Sequence, residues 1–261
     1  MIPQLFAKSR KIVFKFGSST LTDESGGIDV EFLASWTAQC AQLIAGGKQV
    51  VIVSSGAQAA GLSTLDKWAR KKDIHYRQAL CAVGQVELMA SWRRAFAPHN
   101  IHTAQILLTR DDFSDSIRTL NMRNTLFTLV DEGIVPVINE NDSVYVEEIK
   151  IGDNDTLAAQ SAVLWGADLL VLFSDIDGIY SENPKMNPDA VHIGIVDNIS
   201  VLKEKISMDG KSDFGTGGMV TKINAAELCF SYGVPSIITR GKPAALNALV
   251  LGEQRGTVFT P

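Results

Sequence analysis

Short apolar segments alternate with helix-like segments along the first 140 residues, and this alternation constrains the fold more than any other feature of the sequence. Residues 11–16 (KIVFKF) and 50–53 (VVIV) predict buried strands, and the apolar spacing of residues 30–45 predicts a helix that ends at Gly46-Gly47. Strand, helix and strand in that order imply a right-handed parallel crossover. The pattern therefore predicts a layered α/β fold.

The alternation continues beyond residue 140. Further strands are predicted at 103–108, 134–138, 169–173, 235–239 and 257–259, and further helices at 76–96, 119–130, 156–165, 219–232 and 243–251. Because residues 169–173 (LLVLF) form the most apolar run, we expect them at the centre of the sheet. Residues 144–150 predict another extended segment, and the polar, weakly patterned residues 203–214 predict a mobile one.

Length and composition limit the class of protein. With 261 residues, 46% of them hydrophobic, the chain suits a single α/β domain with a large core. The net charge of −5 argues against a dedicated nucleic-acid-binding protein. Cys40, Cys81 and Cys229 show no metal or redox spacing, which predicts buried thiols in a reducing cytoplasm. Neither a secretory signal nor an 18-residue apolar stretch is recognisable, so we expect a cytoplasmic protein without a membrane partner.

Polar residues are concentrated between residues 136 and 155. The sequence NEND (139–142) directly follows a predicted strand, and GDND (152–155) precedes a predicted helix. Ligands of open α/β sheets bind in turns at the carboxyl ends of strands. There, a carboxylate can hold an ammonium group and a carboxamide can bind a carboxylate, which suits a small zwitterion. The alternative is an ordinary turn and a helix N-cap, since Asn and Asp favour both.

A glycine-rich stretch, GTGGMVTK (215–222), is the best candidate for binding phosphate. Its glycines allow backbone N–H groups to face an anion, and the following helix N-terminus adds a favourable dipole. Lys222 lies within the first two turns of that helix and can reach back towards the same anion. The alternative is a flexible loop with a solvated lysine. The stretch is neither a P-loop nor a dinucleotide-binding fingerprint.

Lys15 is unusual because it lies near the end of an apolar strand, directly before the turn at Gly17. A lysine in a buried strand is unfavourable unless it is paired, although an edge strand could point it to solvent. Ser54-Ser55-Gly56 and Asp175-x-Asp177-Gly178 form further turns after predicted strands. Two lysines and three glycine-bearing turns at strand ends imply phosphoryl transfer, which depends on positioning and electrostatic stabilisation.

Nine motifs occur in the order found in the glutamate 5-kinases of the amino-acid kinase family, which the chain resembles from residue 11 to residue 261. They are KFGSSTLT, VIVSSGAQAAG, RQALCAVGQ, LLTRDD, LNMRNTL, PVINENDSV, IKIGDND, FSDIDGIY and GTGGMVTK. The resemblance implies a three-layer αβα sandwich around a mainly parallel open sheet, as one domain spanning 1–261. It further implies a glutamate-binding lobe at about 1–165 and an ATP-binding lobe at about 166–261. The implied reaction, ATP plus L-glutamate giving L-glutamyl 5-phosphate, is the first step of proline biosynthesis.

The resemblance also assigns residue roles. Lys15 and Lys222 would stabilise the transferring phosphoryl group, and Asp155 would orient both lysines. Glutamate would be bound at Ser55, Asp142 and Asn154, with Asp153 beside them. The ATP site would comprise Lys15, Gly17, Ser174, Asp175, Thr216, Gly217, Gly218, Met219, Val220, Thr221 and Lys222. Mg²⁺ would be carried by the ATP phosphates without dedicated protein ligands.

The family pattern is not matched at every position. Gln58 replaces a small apolar residue in the turn after the second strand, and Ser174 replaces a usual threonine. Many relatives carry a C-terminal PUA domain, which we expect to be absent from this chain. Other members of the fold act on acetylglutamate, aspartate, carbamate or UMP, so a different kinase stays an alternative. A non-catalytic nucleotide-binding regulator and an interaction scaffold are alternatives of another class.

Regulation and assembly are implied by the resemblance alone. Proline, the end product of the pathway, is the expected inhibitor, and the loop 109–118 (TRDDFSDSIR) matches the region that would sense it. Its aspartates could form ion pairs with the imino cation of proline, and Arg110 and Arg118 could bind its carboxylate. The alternative is a solvated helix start. A homo-oligomer, either a dimer or a tetramer, and glutamyl phosphate reductase are the expected protein partners.

Overall fold

A sheet of eight strands forms the middle layer of the protein, whose computed structural model describes residues 1–65, 72–145, 154–182, 184, 186–208, 218–241 and 246–261. The strand order is β3-β4-β2-β1-β5-β9-β10-β8, and the six strands from β3 to β9 run parallel. β10 is antiparallel to β9 and parallel to β8. The strands of this sheet are β1 Lys11–Phe16, β2 Gln49–Ser54, β3 Thr103–Leu108, β4 Val135–Glu140, β5 Leu169–Ser174, β8 Ile195–Val196, β9 Ser236–Arg240 and β10 Gly256–Phe259. A separate two-stranded sheet pairs β6 Ile179–Tyr180 with β7 His192–Ile193.

Helices cover both faces of the sheet. One face carries α1 Ile2–Lys8, α3 Val30–Ala45, α4 Ala57–Leu65, α5 Ile74–Phe96 and α10 Leu246–Leu251. The other carries α6 Ser116–Asp131, α7 Asn154–Trp165, α8 Ile199–Met208 and α9 Gly218–Ser231. One helical turn, α2 Ser18–Leu21, follows β1, and two 3₁₀ turns span Ala97–His99 and Arg110–Phe113. The expected three-layer αβα sandwich around a mainly parallel sheet is confirmed.

Side-chain alternation along β1 divides the core into two clusters. Ile12, Phe14 and Phe16 face the α3 and α5 side, where Trp36 packs edge-on against both phenylalanine rings. Val13 belongs to the cluster on the opposite face. Successive side chains of a strand point to opposite faces, so Lys15 shares the direction of Val13 and points towards the side of α7. The strand pattern therefore delivers a lysine to the α7 side of the central layer.

Two glycines bring the backbones of α4 and α5 into direct contact. A Cβ atom at Gly61 would lie 1.9 Å from the carbonyl oxygen of Leu80, and one at Gly84 would lie 1.8 Å from that of Ala57. Both distances exclude a side chain, because the obstructing atoms are backbone atoms. The close crossing fixes α5 against α4, the helix that begins directly after the turn that follows β2.

Most elements lie where the sequence predicts them. β1, β3 and α3 have the predicted bounds, and β5 is one of the two central strands. Residues 203–208, the first part of the segment predicted to be mobile, form the second half of α8, whose Ile199 and Leu202 pack into the core. The two core residues of this helix lie before residue 203, so the polar segment that follows shows little helical pattern by itself. Residues 209–214 lie outside the described residues, and the mobility of the segment stays a prediction. Val144 lies in a turn, and residues 146–150 of the predicted extended segment lie outside the described residues.

Some further features were not predicted, or are only partly described. α1 and the pair β6–β7 have no counterpart among the predictions. Residues 243–245 of the last predicted helix also lie outside the described part of the chain. Within the described part, no helix combines the length and the apolar character needed to cross a membrane. The division into two lobes near residue 165 stays a prediction.

Candidate active site

The polar residues singled out in the sequence meet at one edge of the sheet. Because the central strands run parallel, the segments after β1, β2, β4 and β5 all emerge at the same edge. These segments contain Gly17, Ser55, Asp142 and Asp175. The first turns of α7 and α9 lie at this edge too, as the contacts of Asp155 with Lys15 and Lys222 show. The candidate site is therefore built by four strand ends and two helix starts.

Asp155 holds two lysines at the centre of this edge. Its Oδ1 lies 2.6 Å from Lys15 Nζ, and its Oδ2 lies 3.0 Å from Lys222 Nζ. The Thr221 hydroxyl donates a hydrogen bond of 2.8 Å to the same Oδ2 atom. Lys15 is 3% exposed and Asp155 is 1% exposed. The edge-strand interpretation of Lys15 is thus excluded, since β1 is a central strand and its lysine is paired.

Local structure explains why these three charges meet. Lys15 points to the α7 side of β1, and Asp155 lies in the first turn of α7. A carboxylate in that position also interacts favourably with the positive end of the helix dipole. Lys222 lies in the second turn of α9, and its ammonium bonds back to the carbonyl oxygen of Gly218 at 3.2 Å. The ammonium thus points back along α9 to its first residue, while its predicted contact with an anion stays a prediction.

The charges of the triad shift the pKa values of its members. Burial alone would raise the pKa of Asp155, but the two neighbouring lysines outweigh burial and hold it below its ordinary value. Burial lowers the pKa of Lys222, and the charge of Lys15 acts in the same direction against the opposing charge of Asp155. Two ammonium groups and one carboxylate leave one excess positive charge. That excess charge is suited to an anion placed between the lysines.

A second group of side chains forms a buried chain of amides beside the triad. Asn154 Nδ2 donates to Ser55 Oγ at 2.8 Å and to Asn139 Oδ1 at 2.9 Å. Asn139 Nδ2 in turn donates to Gln85 Oε1 at 2.8 Å. Asn139, Asn154 and Ser55 are all buried. This amide chain joins the strand ends of β2 and β4 to the first residue of α7.

The turn between β4 and the segment after it is held by α5. Gln78 Nε2 donates to the carbonyl oxygen of Asp142 at 2.9 Å, and Asp142 itself is buried. Arg77, the preceding residue, donates through Nε to Gln58 Oε1 at 3.0 Å. Gln58, one of the two departures from the family pattern, thus connects α4 to α5.

Two of the predicted ATP residues, Ser174 and Asp175, lie at the end of β5, on the other side of β1 from the strands β2 and β4 that carry the amide chain. The Ser174 hydroxyl donates to Asp175 Oδ1 at 3.2 Å, and the carbonyl oxygen of Ser174 accepts from the Gly241 N–H at 2.8 Å. The charge of Asp175 also acts on Lys222, in the direction that raises its pKa. Gly218, Met219 and Val220 form the exposed or half-buried first turn of α9. Their backbone N–H groups are of the kind that bind phosphate at helix starts.

The structure thus joins Lys15, Asp155, Lys222 and Thr221 in one contact group, and Ser55 and Asn154 in a second. The two groups are linked by the peptide bond between Asn154 and Asp155. Three predicted site residues, Asp153, Thr216 and Gly217, lie outside the described residues. Asn139, Gln78 and Gln85 were not predicted as site residues. The spacing of the two glutamines, seven residues apart on one helix, was the available signal.

The loop 109–118 shows local structural roles for most of its charges. Asp112 accepts from the Thr109 N–H at 2.7 Å and pairs with Arg118 at 2.9 Å. Burial of Asp112 would raise its pKa, but these bonds outweigh it and the pKa is lowered. Asp115 caps α6 by accepting from the N–H groups of Ile117 and Arg118. These bonds agree with the alternative of a helix start and leave proline sensing untested.

The sequence profile of the amino acid kinase family matches residues 10–240. A glutamate 5-kinase of Alkaliphilus metalliredigens is 57% identical over 260 residues, which cover 99% of this chain and 98% of that protein. A glutamate 5-kinase of Alkaliphilus oremlandii is 53% identical over 260 residues, covering 99% of each.

The fold also resembles solved structures of low sequence identity. The carbamate kinase from Giardia lamblia bound to AMP-PNP superposes with a TM-score of 0.67 over 97% of this chain and 99% of that one. Its sequence identity is 16%, so this likeness concerns the fold alone.

Proposed function

The chain belongs to the amino acid kinase family, and from its 57% and 53% identity to two glutamate 5-kinases we infer that it transfers the γ-phosphoryl group of ATP to the γ-carboxylate of L-glutamate. The product is L-glutamyl 5-phosphate, the first intermediate of proline biosynthesis. ATP acts together with Mg²⁺. The observation that carries the chemistry is the convergence of the Lys15 and Lys222 ammonium groups on Asp155.

We propose that the two lysines stabilise the charge of the transferring phosphoryl group. In phosphoryl transfer the negative charge is spread over the equatorial oxygens, and catalysis consists mainly of positioning and electrostatic stabilisation. The triad offers one excess positive charge in a site where burial strengthens electrostatic interactions. Asp155 then acts as a positioning residue, since it holds both ammonium groups while the anion arrives. No general base is required, because a γ-carboxylate is already ionised at neutral pH.

Glutamate is proposed to lie over the amide chain. The Asp142 carboxylate provides a counter-charge for the substrate ammonium, and the Ser55 hydroxyl, which accepts from Asn154, can donate a hydrogen bond to the substrate carboxylate. Asn154 donates through Nδ2 to Ser55 and Asn139, and its Oδ1 can accept from the ammonium. Asp153, next to Asn154, belongs to the same proposal. This arrangement directs the γ-carboxylate towards the lysines, because Asn154 and Asp155 are consecutive residues.

The nucleotide is proposed to lie at the carboxyl end of β5 and the first turn of α9. Gly17, Ser174, Asp175 and the residues 216–222 would surround its phosphates and ribose. Mg²⁺ would bind the phosphate oxygens and reduce the repulsion between the two anionic substrates.

The experiment that tests this function measures ADP release by the purified protein with MgATP and a panel of acceptors. Release should require L-glutamate and Mg²⁺, and hydroxylamine should trap the acyl phosphate as a hydroxamate. Acetylglutamate, aspartate, carbamate and UMP serve as competing acceptors. Activity with acetylglutamate or UMP, and none with glutamate, would contradict the assignment.

Feedback inhibition by proline is a further proposal. Asp111 and Arg110 are exposed residues of the 3₁₀ turn after β3, whereas Asp112 and Asp115 are engaged in capping. If proline binds here in competition with glutamate, it should raise the half-saturating glutamate concentration, and Asp111→Asn should weaken this effect. Asp111 suits the test because its replacement leaves both caps intact. Inhibition that excess glutamate does not relieve would count against competition.

Partners and location are likewise proposals. We propose a homo-oligomer, a dimer or a tetramer, because β3 is an edge strand of the described sheet and Leu107, Ile117 and Leu120 near it in sequence are exposed. Light scattering would give the mass, and Leu120→Asp should reduce it if this surface is used. Glutamyl phosphate reductase is a proposed partner because acyl phosphates hydrolyse readily. A cytoplasmic location follows from the scattered thiols and stays a prediction.

A further inference from the structure

Two glutamines on one face of α5 contact the end of β4 and the turn that follows it. Gln78 and Gln85 are seven residues apart, two helical turns, and therefore share a face. Gln85 accepts a hydrogen bond from Asn139 in the last residues of β4, and Gln78 donates to the carbonyl oxygens of Asp142 and Ser143 in the turn after it. Helix α5 thus holds both the end of β4 and the turn.

The backbone determines the direction of every amide in the buried chain. The N–H of Glu140 donates to Asn139 Oδ1 at 2.9 Å, and a backbone donor cannot be reversed. Asn139 must therefore present Nδ2 to Gln85, so Gln85 must present its oxygen. Asn154 faces the same Asn139 oxygen and must present Nδ2, which also reaches Ser55 Oγ. The acceptor oxygen of Gln85 thus allows only the orientation of Asn139 in which Nδ2 faces Gln85 and Oδ1 faces the Glu140 N–H.

Gln85 makes this bond at a cost in stability. The residue is 8% exposed, and its Nε2 atom is buried without a hydrogen-bond partner among the described residues. Leaving a buried donor unsatisfied disfavours folding. A methionine of similar length would remove this donor but would leave the buried Asn139 Nδ2 without its acceptor, so one unsatisfied donor would replace another. A buried donor of this kind requires an explanation, and the amide chain provides one.

We propose that Gln85 and Gln78 are positioning residues for the amino-acid substrate. Gln85 fixes the orientation of Asn139 and through it the amide of Asn154 and the hydroxyl of Ser55, while Gln78 fixes the backbone that carries Asp142. The close crossing of α4 and α5 at Gly61 and Gly84 makes α5 a rigid support for both bonds. The inference rests on the proposed glutamate site.

Replacement of each glutamine by glutamate should have a different effect on the KM for glutamate. Gln85 acts as an acceptor, so Gln85→Glu retains an oxygen for Asn139 and should keep the KM for glutamate within about twofold of wild type. Gln78 acts as a donor, so Gln78→Glu places a carboxylate against two carbonyl oxygens and should raise that KM about tenfold. Gln85→Met removes the acceptor and should also raise it about tenfold, with kcat and the KM for ATP changed by less than about twofold.

The melting temperature of Gln85→Met distinguishes a positioning role for Gln85 from a purely structural one. Gln85→Met removes one unsatisfied buried donor and leaves another at Asn139 Nδ2, so its melting temperature should stay close to that of wild type while its KM for glutamate rises. Gln39→Met is the matched control, since Gln39 bonds to Ser35 and Asn247 on the far helices of the same face. The control should not change the KM for glutamate.

The outcomes separate this inference from the proposed function. Wild-type protein without glutamate-dependent ADP release overturns the proposed function itself. An active wild type with an unchanged KM in Gln85→Met overturns the positioning role alone. Equal losses of affinity and of melting temperature in Gln85→Met and Gln85→Glu would also overturn it, because they would indicate a packing role.

Discussion

At the scale of single residues, the lysines of the triad should act on the rate rather than on the affinity for glutamate. The charge they meet develops in the transition state, so Lys15→Ala and Lys222→Ala should each lower kcat about a hundredfold, on the order of 3 kcal/mol. The KM for glutamate should change little. Steady-state kinetics measures both, with Lys203→Ala as the control because Lys203 pairs with Glu227 on the surface of α8 and α9. Normal turnover in both triad variants would exclude the phosphoryl-site interpretation.

The lowered pKa of Lys222 predicts a loss of activity at alkaline pH. Its ammonium loses its proton as pH rises through a pKa below the ordinary lysine value of about 10.4, and the charge offered to phosphate disappears. The kcat/KM for ATP should therefore fall at a lower pH than the titration of an ordinary lysine would allow. A pH–rate profile in a constant-ionic-strength buffer tests this, and a profile that declines only above the ordinary lysine pKa would contradict it.

Asp155 should contribute to stability as well as to positioning. Asp155→Asn leaves two ammonium groups facing each other, one of them fully buried, and should reduce the free energy of unfolding by about 3 kcal/mol. The double variant Lys15→Met, Asp155→Asn removes the buried lysine charge and should recover much of that loss while staying inactive. Urea denaturation gives the values. The wild type should have a higher free energy of unfolding than Asp155→Asn at any pH above about 3.9, the pKa of this carboxyl in the unfolded chain. This difference should be lost as pH falls through the lower pKa that Asp155 has in the folded protein.

At the scale of elements, the contact between α4 and α5 is the feature most sensitive to a single methyl group. Gly84→Ala places a Cβ atom against the carbonyl oxygen of Ala57, and relieving that clash must separate the two helices. We expect a loss of about 2 kcal/mol or more in the free energy of unfolding and a higher KM for glutamate, because Ser55 lies just before α4 and Gln85 follows Gly84. Gly194→Ala is the matched control, since a Cβ atom there has no neighbour within 4 Å. Unchanged stability in Gly84→Ala would show that the helices are not held at this distance.

At the scale of the whole molecule, local pattern predicted the layers but not the contacts between distant segments. The apolar runs of β1 and β5 were sufficient to place both as buried strands, because strands covered on both faces are continuously hydrophobic. The pairing of Lys15 with Asp155 could not be read from spacing, since the sheet topology brings those residues together; it was expected only from the resemblance to a kinase family. Asn139 and Gln85 are 54 residues apart, and no periodic signal joins them.

The arrangement of the two contact groups predicts that glutamate and nucleotide stabilise the protein separately. Any ligand that binds only the folded state stabilises it, by about 2.7 kcal/mol at a hundredfold excess over Kd. L-Glutamate and MgADP should therefore each raise the melting temperature.

Asn154→Ala disrupts the amide chain that joins Ser55 to Asn139 and should remove the shift caused by glutamate while keeping that of MgADP. Lys222→Ala should reduce the shift caused by MgADP and keep that of glutamate, because Lys222 contacts only the triad and the start of α9 among the described residues. Thermal denaturation monitored by circular dichroism, with each ligand alone and both together, gives the four comparisons. Loss of both shifts in either variant would contradict a division into separate glutamate and ATP lobes.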